Sequence, residues 1–288
     1  MISNTRRQFL GGAAAGLVSA SGVLTAQTQP TNYGLDFPIV DYHIHLVSQT
    51  IEQVVATSKE RDIKYGVVEH GGTKENDYPI VLKNDAELQG WIAKLEPFPV
   101  FKGMQAEWYD WMPCFSKDVF SQLDYVFTDG MTVRDAKGNR QKAWLRDYDP
   151  GNDEEGFMTM YVDWLVEICE REPIDFFAHP TWIPGKFNKD FDNLWTEERM
   201  KRFATTLKNN GIACEIDCGM KLPSLSFLRI AKDMGLKFTF GSNAGRSPIT
   251  PIDFSVNLAK ELGLTAKDMW VPAPRNRKPM LTRTKLRT

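Results

Sequence analysis

Ile39-Val40-Asp41-Tyr42-His43-Ile44-His45-Leu46 is the stretch on which the fold turns. It is a short run of β-branched and aromatic residues, the composition of a buried strand. Residues two apart on a strand point the same way, so His43 and His45 are expected to project together, with Asp41 on the same face. Two imidazoles at that spacing form a ready metal pair, and a nearby carboxylate can orient them or add a weaker ligand. The chain contains four histidines in all: His43, His45, His70 and His179.

The other two stand in similar places. His70 ends the run Gly66-Val67-Val68-Glu69-His70 and is followed by Gly71 and Gly72, so the backbone can turn beside it. His179 ends Phe176-Phe177-Ala178-His179, and Pro180 stops the strand. Seven strand-like runs are expected at 39–46, 65–70, 99–108, 125–131, 175–180, 213–218 and 237–242. Amphipathic helices are expected between them, over 50–61, 86–95, 158–172, 197–210 and 223–234. Gly211 and Gly235 stand where two of these helices should stop. Such repeated β-then-α units imply a parallel sheet, closed into a barrel or wound open, with ligands at the C-terminal strand ends. All four histidines are expected there.

The length of 288 residues suits one such domain of about 250 residues preceded by an address. Thr5-Arg6-Arg7-Gln8-Phe9-Leu10 is a twin-arginine pattern, followed by an uncharged, small-residue stretch up to about Ala26. We expect a cleaved export signal over 1–26, a linker over 27–37, the barrel over 38–272 and a C-terminal tail over 273–288. Cleavage would remove Arg6 and Arg7 and no acid, taking the formal charge from −2 to −4. With no basic run, nucleic acid is not an expected partner, and no later segment is apolar enough for stable membrane insertion. The expected location is the periplasm or another exported compartment. Cys114, Cys169, Cys214 and Cys218 lack CxxC spacing. Cys214 and Cys218 would lie about 13 Å apart on an extended strand, too far for a disulfide. They read as buried small hydrophobes, with a bridge between other pairs left open.

The ordered series DYHIHL, VVEH, FKGMQAE, LDYVFTDGM, FFAHPTW, ACEID and FTFGSNAGR, over about residues 38–268, resembles the PHP family, named for polymerase and histidinol phosphatase. That resemblance implies a single-domain α/β fold, a distorted TIM-like (β/α)7 barrel. It also implies up to three metals, usually zinc, manganese or iron, at the C-terminal face. His43 and His45 match the family's HxH pair, His70 the histidine after its second strand, and His179 the one in its aHP element.

The departures are chemical. Gln105 stands where the family has a bridging Glu, and Glu107 two residues on is a candidate substitute. Met131 falls near a family histidine. Asn243 and Gly245 replace the final Asp and His of GSDAH. A bridging carboxylate is what lets two cations sit close together, so its loss favours a smaller site. The expectation is one divalent ion, with two as the alternative, drawn from His43, His45, His70, His179, Glu107 and Asn243. His70, His179 and Asp129 are the candidate acid–base groups, with Glu69, Glu215 and Asp217 as further acids. Arg246, Trp182, Trp108 and Lys102 are the candidate substrate contacts, with Lys186 a weaker one. Trp108, Tyr109, Trp111 and Trp182 crowd the expected rim, and packing is the simplest reading for half of them.

The leading expectation is a metal-dependent hydrolase, phosphoesterase-like, acting on a small sugar-derived or phosphorylated substrate. The alternatives are a metal-dependent lyase, isomerase or amidohydrolase-like enzyme on a carbohydrate-like substrate, and a catalytically degenerate barrel that binds a metal or ligand.

Overall fold

Each of the seven sequence runs forms one strand of a closed parallel barrel. The structure is a computed structural model that describes residues 33–73, 78, 80–106, 108–135, 137–245 and 249–282. The expected export signal therefore lies outside the described residues. The chain runs through β1 (Val40–His45), α1 (Ile51–Arg61), β2 (Lys64–Gly71), a short β3 (Val81–Leu82), α2 (Asp85–Leu95), β4 (Phe101–Ala106), α3 (Lys117–Phe120) and β5 (Tyr125–Thr128). It continues through β6 (Thr132–Arg134), β7 (Arg140–Lys142), α4 (Glu154–Arg171), β8 (Phe176–Phe177), α5 (Phe191–Leu194), α6 (Glu197–Asn209) and β9 (Ala213–Asp217). It ends with α7 (Leu225–Asp233), β10 (Phe238–Gly241), α8 (Asp253–Leu262) and α9 (Pro279–Thr282). The order β1-β10-β9-β8-β5-β4-β2 is closed by pairing of β1 with β2, and every one of these pairings is parallel. All C-terminal strand ends therefore open at one mouth.

Local chemistry sets the element ends. Thr50 and Gln53 form a capping box at the start of α1. In α4 the side chain of Asp153 caps Gly156 N–H, so the helix begins four residues before the apolar stripe expected from Met158. Its inner face buries Met158, Tyr161, Val162, Leu165 and Ile168 against the sheet, each contributing roughly 1.5–3 kcal/mol. Gly211 and Gly235 follow α6 and α7 with φ of 64° and 76°, a conformation that glycine adopts without a Cβ penalty. β5 stops early, because Asp129 Oδ1 accepts from Met131 N–H at 2.8 Å and turns the chain. The 3₁₀ turn of Arg275–Arg277 and α9 pack on the underside, where Lys278 Nζ bonds the Leu123 carbonyl and Arg275 Nε donates to Ser121 Oγ at 2.8 Å.

The apolar interior has two layers. The larger lies between sheet and helices. The smaller gathers Tyr42, Val68, Tyr125, Phe127, Phe176, Ala178 and Ala213 from five of the barrel strands or their ends, with Trp270 against it, and so plugs the barrel's lumen. The Tyr125 hydroxyl donates to the Tyr42 carbonyl at 2.6 Å inside it. All four cysteines are free. Among the described residues no helix is long and apolar enough to cross a membrane.

Candidate metal centre

Strict alternation along β1 fails at one point, and the site depends on it. The register against β2 shifts between Asp41 and Ile44. Tyr42 faces the aromatic plug, while the neighbouring His43 also faces the lumen, its ring 4.5 Å from Phe127. Of the two roles expected for Asp41, orienting an imidazole or adding a weaker ligand, its hydrogen bonds show neither. Its Oδ1 accepts from the backbone N–H of His43 at 3.0 Å and of Ser242 at 3.1 Å, tying β1 to the end of β10. Burial pushes the Asp41 carboxyl up to about 6, against the lowering effect of these bonds.

The four imidazoles form one row across the mouth. Ring centroids are 5.1 Å apart from His179 to His43, 5.3 Å from His43 to His45 and 4.7 Å from His45 to His70. Tyr78 stacks on the outer face of His70 at 3.4 Å. All four histidines are buried.

Carboxylates from β9 back one end of the row. Glu215 Oε1 accepts from His43 Nδ1 at 2.8 Å, and its Oε2 accepts from the His179 N–H at 3.1 Å. Asp217 Oδ2 lies 2.6 Å from His179 Nδ1, while its Oδ1 accepts from Gly219 and Met220 N–H. Burial alone would lower His179, but the Asp217 charge beside it raises it to about 9. The same contact holds Asp217 below its ordinary value despite burial. Glu215 fits only because residue 241 lacks a side chain, since a Cβ there would stand 2.0 Å from Glu215 Oε1.

The other end behaves differently. Burial pushes His45 well below its ordinary value, with His70 and His43 adding to the effect. Burial likewise pushes His70 down to about 3. Both are neutral imidazoles near pH 7, the form that ligates a metal. His45 Nδ1 is buried with no hydrogen-bond partner among the described residues. Glu69 lies with these two, one ligand atom of each falling within 4.8 Å of the others, and burial lifts its carboxyl to about 7.

Gln105 occupies the middle. Its Nε2 donates to Asp129 Oδ2 at 2.9 Å, which turns its Oε1 toward His43 Nε2 at 3.2 Å. A carboxylate can only accept, so His43 Nδ1 donates to Glu215, and an Nε2 without a proton faces the Gln105 oxygen with a lone pair. Two acceptors then face each other, an arrangement that a cation reconciles, whether a second proton on His43 or a metal ion. Together with the orphaned His45 nitrogen, this donor set fits a divalent ion. His43, His179 and Glu215 form a second group of ligand atoms within 4.8 Å of one another.

A cavity of about 550 Å³ opens onto His45, His70, Gln105, Asp129, His179 and Asn243, with Val47, Tyr78, Met131, Trp144 and Met220 around them. Asn243 Nδ2 is 3.4 Å from His179 Nε2. Its φ of 49° and the 48° of His179 are left-handed conformations, which Asn tolerates well and which for His is strained by about 1 kcal/mol.

Other sequence candidates go elsewhere. Lys102 is the second residue of β4, at the barrel's closed end, paired with Glu96 at 2.5 Å. The structure therefore removes it from the substrate contacts. Trp108 is buried against Tyr109 and Trp164, with Arg140 over its ring, and does not line the cavity either. Trp111 is core, its Nε1 donating to Glu172 at 2.9 Å. Trp182 and Lys186 line a neighbouring cavity. Glu107 and Arg246 lie outside the described residues. The sequence named Glu215 and Asp217 only among several acids. Their i, i+2 spacing on an apolar strand was the signal that ranks them higher.

The fold is similar to histidinol phosphate phosphatase from Lactococcus lactis subsp. lactis, solved with zinc, L-histidinol and phosphate. The TM-score is 0.57 at 15% identity, covering 83% of this chain and 98% of that one. A citrate lyase from Burkholderia xenovorans aligns at TM-score 0.38 and 8% identity, over 82% and 78% of the two chains. No family model and no curated protein matches the sequence. The first likeness agrees with the distorted (β/α)7 barrel that the sequence leads one to expect.

Proposed function

We propose that this protein is an exported, metal-dependent hydrolase of the PHP type that cleaves a phosphoester-like bond in a small substrate. The observation that carries the reading is the unbroken row of four imidazoles at the barrel mouth, two of them held neutral and one facing the Gln105 carbonyl. His43, His45 and His70, with the carbonyl of Gln105, are the residues that would hold the ion. A bound divalent ion would supply an activated water and polarise the scissile bond.

The chain's own groups do the rest. Asp129 fixes the Gln105 amide so that its oxygen faces the histidines. Glu215 fixes the His43 ring through Nδ1, as carboxylates fix metal-binding imidazoles generally. Asp217 keeps His179 protonated near neutral pH, with Nε2 toward Asn243 at the cavity, where it can hold a proton for a leaving group. Gln105 and Asn243 bring no charge, which supports one ion over a multinuclear cluster. Export through the twin-arginine route rests on Thr5-Arg6-Arg7-Gln8-Phe9-Leu10.

The His179–Asp217 pair also favours a second reading, a lyase or isomerase in which that histidine transfers a proton. Elemental analysis of the purified protein, with a phosphomonoester and phosphodiester screen run with and without chelator, separates the readings. The expected result is about one equivalent of transition metal and chelator-sensitive ester hydrolysis. Protein that binds no transition metal and hydrolyses no ester would sink the first reading.

A further inference from the structure

Beside the histidine cavity lies a larger one, of about 780 Å³. The two share Met131, Trp144 and Met220 as common walls, so they form one cleft running outward from the imidazoles. Residues 143–149, which follow the β6–β7 hairpin, build one side of the outer chamber, and Trp182 to Lys186, after β8, build the other.

The chamber is sorted by depth. Its inner walls are apolar: Ala143, Trp182, Ile183 and Pro184 are buried, and Leu145 and Phe191 half-buried. Of its polar residues, Arg146, Asp147, Asp149, Lys186 and Asn188 are exposed at the outer rim, and Tyr148 is half-buried. Among them Lys186 is already engaged, its Nζ donating to Asp149 at 2.8 Å and Asn152 at 3.0 Å. At the junction Met220 is 37% exposed, and Val47 on the histidine side is 45% exposed, so both present apolar surface to the histidine cavity. A sugar needs donors and acceptors along its length, and these inner walls offer few. An apolar ring or alkyl body needs only shape and area.

Resting on the hydrolase reading, we propose that the outer chamber seats the non-reacting half of the substrate, and that this half is an aromatic or alkyl body rather than a sugar. The histidine floor takes the polar, reacting group, and the exposed rim takes any polar group at the far end of the body. The substrate class is then an ester of an apolar alcohol or phenol, and the cleft selects it by the part of the molecule that does not react.

Calorimetric titration of the metal-loaded protein with three non-hydrolysable probes tests this. They are methylphosphonate, 1-naphthylmethylphosphonate and a C-glucosyl phosphonate. The naphthyl probe is expected to bind at least ten-fold more tightly than either other. Leu145→Asp and Phe191→Asp are each expected to erase that margin while leaving metal content unchanged. Equal affinity for the naphthyl and methyl probes, tighter binding of the glucosyl probe, or a margin that survives both variants would overturn the proposal. If none of the phosphonates binds, the hydrolase reading has failed instead, and 1-naphthol followed by its own fluorescence decides the chamber. Binding lost in Leu145→Asp supports the apolar seat, and no binding to the unaltered protein refutes it.

Discussion

His43 and His179 differ from His45 and His70 in what stands behind them. The first pair is braced by Glu215 and Asp217, carboxylates on β9 that fix ring orientation and raise His179 to about 9. The second pair has its rings stacked, with His70 pushed down to about 3 by burial. One row of identical side chains thus holds an oriented, charge-bearing end and a neutral, electron-pair-bearing end. A mouth built this way can ligate a cation at one end and keep a proton at the other. What distinguishes the ends is the neighbouring strand, not the histidines.

Removing the carboxylate brace is expected to have the largest effect. Glu215→Gln is expected to lower stability by about 3 kcal/mol, since an amide cannot accept from both His43 Nδ1 and the His179 N–H, and to lose bound metal as well. Gly241→Ala should act in the same direction by displacing that carboxylate. Denaturant unfolding with elemental analysis checks both, and full stability and metal content in Glu215→Gln would show that the brace is ornamental.

The pH dependence of metal-free protein comes next. The folded state holds the His179 proton more tightly than the unfolded chain does. That stabilisation is complete below the ordinary 6.5 and fades as pH rises toward about 9. His70 works in reverse, with stability lost as pH falls from 6.5 toward about 3. Each slope is at most about 1.4 kcal/mol per pH unit. His179→Asn should flatten the alkaline limb and His70→Asn the acid limb. If both variants alter the same limb, the two ends are not distinct.

Smaller in stability but decisive for metal are His45→Gln and His70→Gln. Each is expected to shift unfolding by no more than about 1 kcal/mol while weakening metal affinity on the order of 100-fold. Competition with a chromophoric chelator measures it. Lys102→Ala should be the mildest, within about 0.5 kcal/mol and with unchanged metal content, since its Glu96 pair is at the far end of the barrel. A metal or turnover defect there would contradict its placement.

Much of this was legible in the sequence because it is periodic. The seven runs and five helical stripes mark their elements, and α8 adds a sixth stripe, on which Val256, Ala259 and Leu262 repeat. His43 and His45 share the lumen as their spacing implies, but Asp41 and Tyr42 do not follow, because the bulge against β2 resets the alternation. Lys102 looked like a rim residue until the strand start at Phe101 put it at the wrong end. Trp108 stands among the substrate contacts by sequence, but Trp164 covers it.

Residue type and short-range spacing, which are written along the chain, were enough for the succession of β-then-α units and for the four imidazoles at strand ends. Which imidazoles Glu215 and Asp217 brace, and which burial holds neutral, came from the tertiary structure alone. Glu215 bonds His43 from 172 residues away, and no local pattern encodes that distance. Parallel closure sets which strand ends meet, and burial sets the charge state of whatever is brought there.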